Sequence, residues 1–194
     1  MTKSFKSIGE FVEYLERLPL TAEVTVSHGL HEATELVWEE ARHAIGEYQD
    51  SAGPFKGWDN LSDATLNGWD AANGVHYPGK IELGFSPPDN PLLRTGELRD
   101  AIEFSVSHNE GVVGVPDRDV GNGTEEDPDR NVGDVAIEHE FGTRYMPARS
   151  FLGRSLYVKA KEVVGIIGHA VLLGLSGKPF EPFSRPPPKD DVPF

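Results

Sequence analysis

Cysteine is absent from the 194 residues, so disulfides, thiolate metal sites and a cysteine nucleophile are all excluded. The fold must be held by packing and hydrogen bonding alone. Basic residues are scarce, 18 Lys and Arg against 32 Asp and Glu, which gives a net charge of −14. A chain that binds duplex DNA or RNA by neutralising phosphates needs the opposite balance. Long apolar runs are missing too: the longest, Val163 to Leu175, is about 13 residues and contains His169, too short to cross a bilayer. Met1 to Lys6 leads into an amphipathic stretch with acidic residues, not the apolar core of a signal peptide. A soluble protein without membrane contact is expected.

The signatures of known chemistry are also lacking. His139-Glu140 opens like a zinc-protease helix, but the position four residues on is Thr143, not a second histidine. Asp117 to Asn122 resembles the start of a calcium loop, yet Asn122 stands where glycine is needed and Pro128 where the bidentate glutamate is needed. Gly111-Val112-Val113-Gly114 falls in a hairpin pattern, not between a strand and a helix, so it fails as a dinucleotide loop. No nucleophile elbow or phosphate loop occurs, and the seven histidines suggest no triad. The expectation is a non-enzymatic protein with no catalytic residue, no metal and no cofactor.

What is present is a 38% hydrophobic chain with 21 Gly and 15 Pro, the composition of a loop-rich globular domain. Ile8, Phe11, Val12, Leu15 and Leu18 predict a short amphipathic helix closed by Pro19. Thr21 to Val26 reads as a short extended piece or a lead-in to a second helix over 33–48. Residues 51–91 read as a long loop with a helical turn near Ser62 to Trp69. Leu98 to Ile102 is expected as a short helix with Thr95 as N-cap. Phe104 to His108 and Val112 to Val115 predict an antiparallel hairpin turning at Asn109-Glu110-Gly111. Residues 116–134 form an acidic loop, Ala136 to Phe141 a short helix or strand, and Leu152 to Leu175 the longest helix. The segment 176–194 is proline-rich and reads as a disordered tail or an arm lying on a neighbouring subunit. Helices and an antiparallel hairpin thus share one domain over 1–175, followed by an extended C-terminal arm.

Three segments carry a family resemblance. They are Gly57-Trp58-Asp59-Asn60-Leu61-Ser62-Asp63-Ala64-Thr65-Leu66, then Leu92-Leu93-Arg94-Thr95-Gly96-Glu97-Leu98-Arg99-Asp100-Ala101-Ile102, then Ile137 to Thr143 followed by Met146-Pro147-Ala148-Arg149-Ser150-Phe151-Leu152-Gly153. Together they resemble the tail-completion, or virion morphogenesis, proteins of tailed bacteriophages, including the Mu-like group and related neck proteins of long-tailed phages. The chain departs from that pattern at Ser150, where the family commonly has proline, and in its longer acidic insertion before Ala136.

The resemblance implies an α+β fold, an antiparallel sheet packed by helices, and a structural virion protein that completes the tail and forms part of the head–tail joining ring, as a tail terminator or an adjacent neck ring. It implies a homo-oligomeric ring, expected to be a hexamer, in contact with the tail tube protein and with head-completion or connector proteins. The protein would be assembled in the host cytoplasm and located in the virion, with DNA passing an acidic lumen without specific binding. Candidate interface residues are Trp58, Leu61, Thr65, Thr95, Gly96, Leu98, Arg99, Glu138, Gly142, Pro147, Arg149, Phe151 and Leu152. Arg149 is expected to bridge to Glu138 or Glu140. Two alternatives from other classes stay open: a metal-dependent hydrolase built from scattered His and Asp, and a small monomeric adaptor.

Overall fold

The computed structural model describes residues 4–117 and 131–183. Its elements, in chain order, are α1 (Ile8–Ala44), α2 (Asp63–Asn67), β1 (Trp69–Asp70), β2 (His76–Tyr77), α3 (Glu97–Asp100), β3 (Glu103–Ser107), β4 (Glu110–Gly114), α4 (Val132–Phe141) and α5 (Leu152–Leu175). The fold is mixed α and β, with a long C-terminal helix as expected. In place of the one antiparallel sheet that the resemblance implies, the described strands form two separate two-stranded ribbons, β1-β2 and β3-β4. The chain divides into two compact units, one of residues 1–36, 105–112 and 160–194, the other of residues 37–104 and 113–159.

In the first unit, α1 and α5 pack as an antiparallel pair through small side chains. A Cβ built on Gly29 would collide with that of Ala170, and one built on Gly174 would lie 2.7 Å from Ala22 Cα. Ala33, Leu36 and Ile166 are buried together, with Val163, Ile167 and Phe183 packed against them. This packing explains why Pro19 does not end the first helix, as the sequence suggested. Pro19 lies inside a continuous 37-residue α1. A mid-helix proline costs about 3 kcal/mol, but the residues after it, Ala22, Thr25, Gly29 and Ala33, are committed to α5, and burial there outweighs the local penalty. Thr25 is fully buried, and its hydroxyl donates to the Thr21 carbonyl at 2.7 Å, so no polar atom is stranded.

The expected hairpin forms as β3 and β4, but it turns at His108-Asn109, with His108 at φ 37°, and not at Asn109 to Gly111. Of the expected arm 176–194, residues 176–183 are described. Phe180 stacks on His28, with ring centroids 5.3 Å apart, and the Phe183 ring meets His169 at 5.7 Å. This stretch lies back on its own helices.

The core of the second unit gathers Ala41, Ala44 and Ile45 from the end of α1, Trp58 from the following loop, Leu98, Ala101 and Ile102 from α3 and its C-cap, Val132 and Ala136 from α4, and Phe151 just before α5. Trp38 Nε1 donates to the Ile102 carbonyl at 2.7 Å, and Arg42 donates to the Arg99 carbonyl at 2.9 Å and to Asp100 at 3.1 Å. These bonds pin α3 to α1. Gly96, at φ 92°, stands at the N-cap of α3 without a side-chain bond, so Thr95 is not the cap the sequence suggested. The acidic loop expected over 116–134 is shorter than read, because α4 starts at Val132 with an Asn131–Asp134 capping box. The stretch 136–141 is helical, and the calcium-like pattern falls mainly on residues 118–130, outside the described residues.

Two glycines test the helix pair. Gly168, in the same helix as Ala170, has nothing within 4 Å of a built Cβ. Gly168→Ala is expected to stabilise the protein by about 0.5–1 kcal/mol through helix propensity. Gly29→Ala makes the same intrinsic gain but is expected to destabilise, by about 1–3 kcal/mol, because the helices must separate. Urea unfolding of the two variants reads opposite signs if the close approach is real.

Candidate functional site

The three sequence segments meet in the second unit around a cleft of about 560 Å³. The first contributes Leu61 and Thr65, the second Leu92 and Arg94, the third Pro147 and Arg149. Ser62 caps α2, its hydroxyl accepting from the Thr65 N–H at 3.3 Å, which turns Thr65 toward the opening. The Leu61 N–H donates to Tyr48 Oη at 3.1 Å, and Tyr48 in turn donates to Asp89 Oδ1 at 2.6 Å. One phenol thereby joins the first segment to the loop ahead of the second.

The third segment is shaped by Glu140 at the end of α4. Its carboxylate accepts from the backbone N–H groups of Phe151, Leu152 and Gly153 at 2.8, 2.9 and 3.0 Å, and from Ser150 Oγ at 2.5 Å. An anion at the positive end of a 24-residue helix is favourable, and here it also satisfies donors that a helix start leaves without partners. Ser150, where the resembled pattern has proline, accepts from the Arg154 N–H at 3.3 Å and so serves the same helix start. The loop between the two helices closes on itself: the Arg149 N–H donates to the His139 carbonyl at 2.7 Å, and Thr143 N–H to that of Met146 at 2.8 Å. Gly142 turns it at φ 75°, where a Cβ would press within 2.7 Å of Ala148 N.

Arg149 does not bridge to Glu138 or Glu140 as the sequence suggested, because Glu140 is engaged at the helix start. The side chain is 6% exposed, and its guanidinium donates through Nη2 to the Asp59 carbonyl at 3.0 Å. Nε has no hydrogen-bond partner, and no carboxylate among the described residues makes a salt bridge with it. Lys80 and Arg94 also line the cleft. Lys80 Nζ donates to the carbonyls of Asn90 at 2.6 Å and Leu93 at 3.0 Å. Partial burial holds its pKa below the usual lysine value; Asp89 opposes that shift and Arg94 adds to it. Trp69 and Tyr77 also line the cleft; paired across β1 and β2, they stack with ring centroids 4.8 Å apart and planes 11° from parallel.

Other residues singled out in the sequence lie elsewhere. Trp58, Leu98 and Phe151 are core, Phe151 with no exposed surface. Thr95 is exposed and Gly96 caps α3, while the Arg99 side chain donates to Asp100 at 3.2 Å. Glu138 is half-buried on α4, and Leu152 is the first residue of α5. Sequence reasoning missed Lys80, Arg94, Trp69, Tyr77 and Glu140 as site residues. The signal for the aromatic pair was present: Asn73-Gly74 between Trp69 and Tyr77 is a strong short hairpin signature.

Among the described residues no group of three or more His, Asp or Glu is placed to hold a metal ion, and no helix is long and apolar enough to cross a membrane. No family model matches the chain, and no curated protein and no solved structure matches it.

His76, beside Tyr77, is held between Glu82 Oε2 at 2.8 Å and Asp70 Oδ1 at 2.7 Å. The hydrogen bond to Glu82, then that to Asp70, raises its pKa above 6.5. A raised histidine stabilises the fold below its unfolded value and loses that contribution as pH rises through the folded one. The loop 70–82 is therefore expected to loosen as pH rises through the raised His76 value. An NMR titration of His76 should give a midpoint above 6.5 that falls in Glu82→Gln; a midpoint at or below 6.5 in the unaltered protein refutes the clamp.

Proposed function

We propose that the chain is a non-enzymatic structural subunit that completes a phage tail and forms part of a homo-oligomeric ring at the head–tail junction. The family resemblance supplies the role, and one observation on α5 supports self-assembly. Ile166, Ala170 and Leu173 are buried on one face of this helix, while Val164, Leu172 and Leu175 on the opposite face are 71%, 70% and 62% exposed. A helix that is apolar on both faces belongs in the interior of an assembly. At the start of α1, Ile8, Val12 and Leu15 are also open to solvent. A ring of identical subunits would cover such patches by repeated head-to-tail contacts that close by rotation. The excess of acidic side chains then suits a lumen that repels DNA and lets it slide.

Native mass spectrometry should find a closed oligomer, expected to be a hexamer. The double variant Val164→Glu, Leu172→Glu alters only exposed positions and should yield folded monomers. In a phage lacking the gene, the unaltered chain should restore the joining of tails to heads and the double variant should not. A monomer at high concentration, together with tails that join heads without the protein, would overturn the reading.

A further inference from the structure

The cleft of the second unit is cationic in a chain whose overall charge is −14. Lys80, Arg94 and Arg149 line it, and no Asp or Glu does. Arg149 is the decisive member. It is nine-tenths buried, its Nε lacks a partner, and a single backbone carbonyl is the one acceptor its guanidinium reaches among the described residues. A buried guanidinium without an anion bears a desolvation penalty that a bound oxyanion would offset. Arg presents its donors in a planar fork matched to a carboxylate, and Arg94 stands at the same opening as a second, more exposed cation.

The rest of the lining narrows the ligand. The stacked Trp69 and Tyr77 rings form an aromatic wall, and Leu83, Leu92, Met146 and Pro147 make much of the remainder apolar. A ligand that fills this space carries a carboxylate next to an apolar or aromatic group. Polyphosphates and nucleic acid fit poorly. The chain carries a net charge of −14, so a ligand charged at every unit is repelled more strongly than a segment with one or two carboxylates. The volume, about 560 Å³, is in the range of sites that take a small molecule or a few residues of a peptide.

We propose that this cleft binds an acidic peptide segment of a protein partner, with a carboxylate on Arg149 and Arg94 and an aromatic side chain against Trp69 and Tyr77. The assignment stands on the charge and shape of the cleft and does not require the ring. A segment of this chemistry occurs in the chain itself, Asp190-Asp191-Val192-Pro193-Phe194, and its sequence supplies the probe.

The experiment is calorimetric titration of the full-length protein with acetyl-Asp-Asp-Val-Pro-Phe-amide, with the neutral analogue in which both Asp are Asn, with inorganic phosphate and with oligothymidylate. The acidic peptide should bind about tenfold or more tightly than the neutral one, as charge-assisted hydrogen bonds on a buried guanidinium imply. Arg149→Lys should remove most of that preference. Because Arg149 also supports the loop, that variant could fail to fold; Arg94→Gln lies at an exposed position and should weaken the acidic peptide severalfold with an unchanged circular dichroism spectrum. Equal affinity for the two peptides, no binding at millimolar peptide, or tighter binding of phosphate or oligothymidylate than of the acidic peptide would each overturn the proposal.

Discussion

The carboxylate of Glu140 is the constraint on which the second unit turns. By accepting three backbone N–H groups and one hydroxyl at the start of α5, it sets where that helix begins and how closely α4 approaches it. With both ends fixed, residues 142–149 have little freedom, and Gly142 supplies the one turn a side chain would forbid. Arg149 is thereby drawn into the interior beside Phe151, its backbone on His139 and its side chain on Asp59. The cation at that position makes no salt bridge among the described residues, while Glu140 is engaged at the helix start.

Charge is distributed unevenly for a reason that local geometry supplies. Carboxylates are used up in specific contacts: Glu140 on a helix start, Asp100 on Arg42 and Arg99, Asp70 and Glu82 on His76, Glu40 on Lys159 at 3.4 Å. Lys80 and Arg149 in the cleft are met by backbone carbonyls, a softer compensation that leaves net positive character. An acidic protein thus contains a site that attracts acid. The exposed apolar face of α5 lies in the other unit, so the two surfaces differ in kind: one suits packing between helices, the other the capture of a short segment.

The sequence was most legible where a single period ran without interruption. The bounds read for α5, Leu152 to Leu175, are those observed, because its apolar pattern and the flanking Pro147 and Gly177 agree. Pro19 misled because its local cost is visible in the sequence, whereas the packing of Ala22 and Gly29 on α5 that overrides it involves residues about 140 positions away. The helical turn near Ser62 and the hairpin of β3 and β4 followed from short-range chemistry. The cleft did not: Lys80 and Arg94 belong to it only because loop 78–94 folds so that Lys80 reaches the carbonyls of Asn90 and Leu93. Glu140 was read as a broken metal motif or a salt-bridge partner, when its role is set by a helix start ten residues on. The motif segments, by contrast, do converge in space, and that proximity is what composition and periodicity alone could not supply.

Amide hydrogen exchange at Phe151, Leu152 and Gly153 tests the central claim most directly. The first N–H groups of a helix normally lack intrahelical partners and exchange readily. Here these three should be protected, and Glu140→Gln should speed their exchange by about tenfold or more, the factor expected when charge-assisted bonds of ~1.5–3 kcal/mol are weakened. Rapid exchange of all three amides in the unaltered protein, or rates that Glu140→Gln leaves unchanged, would contradict the account.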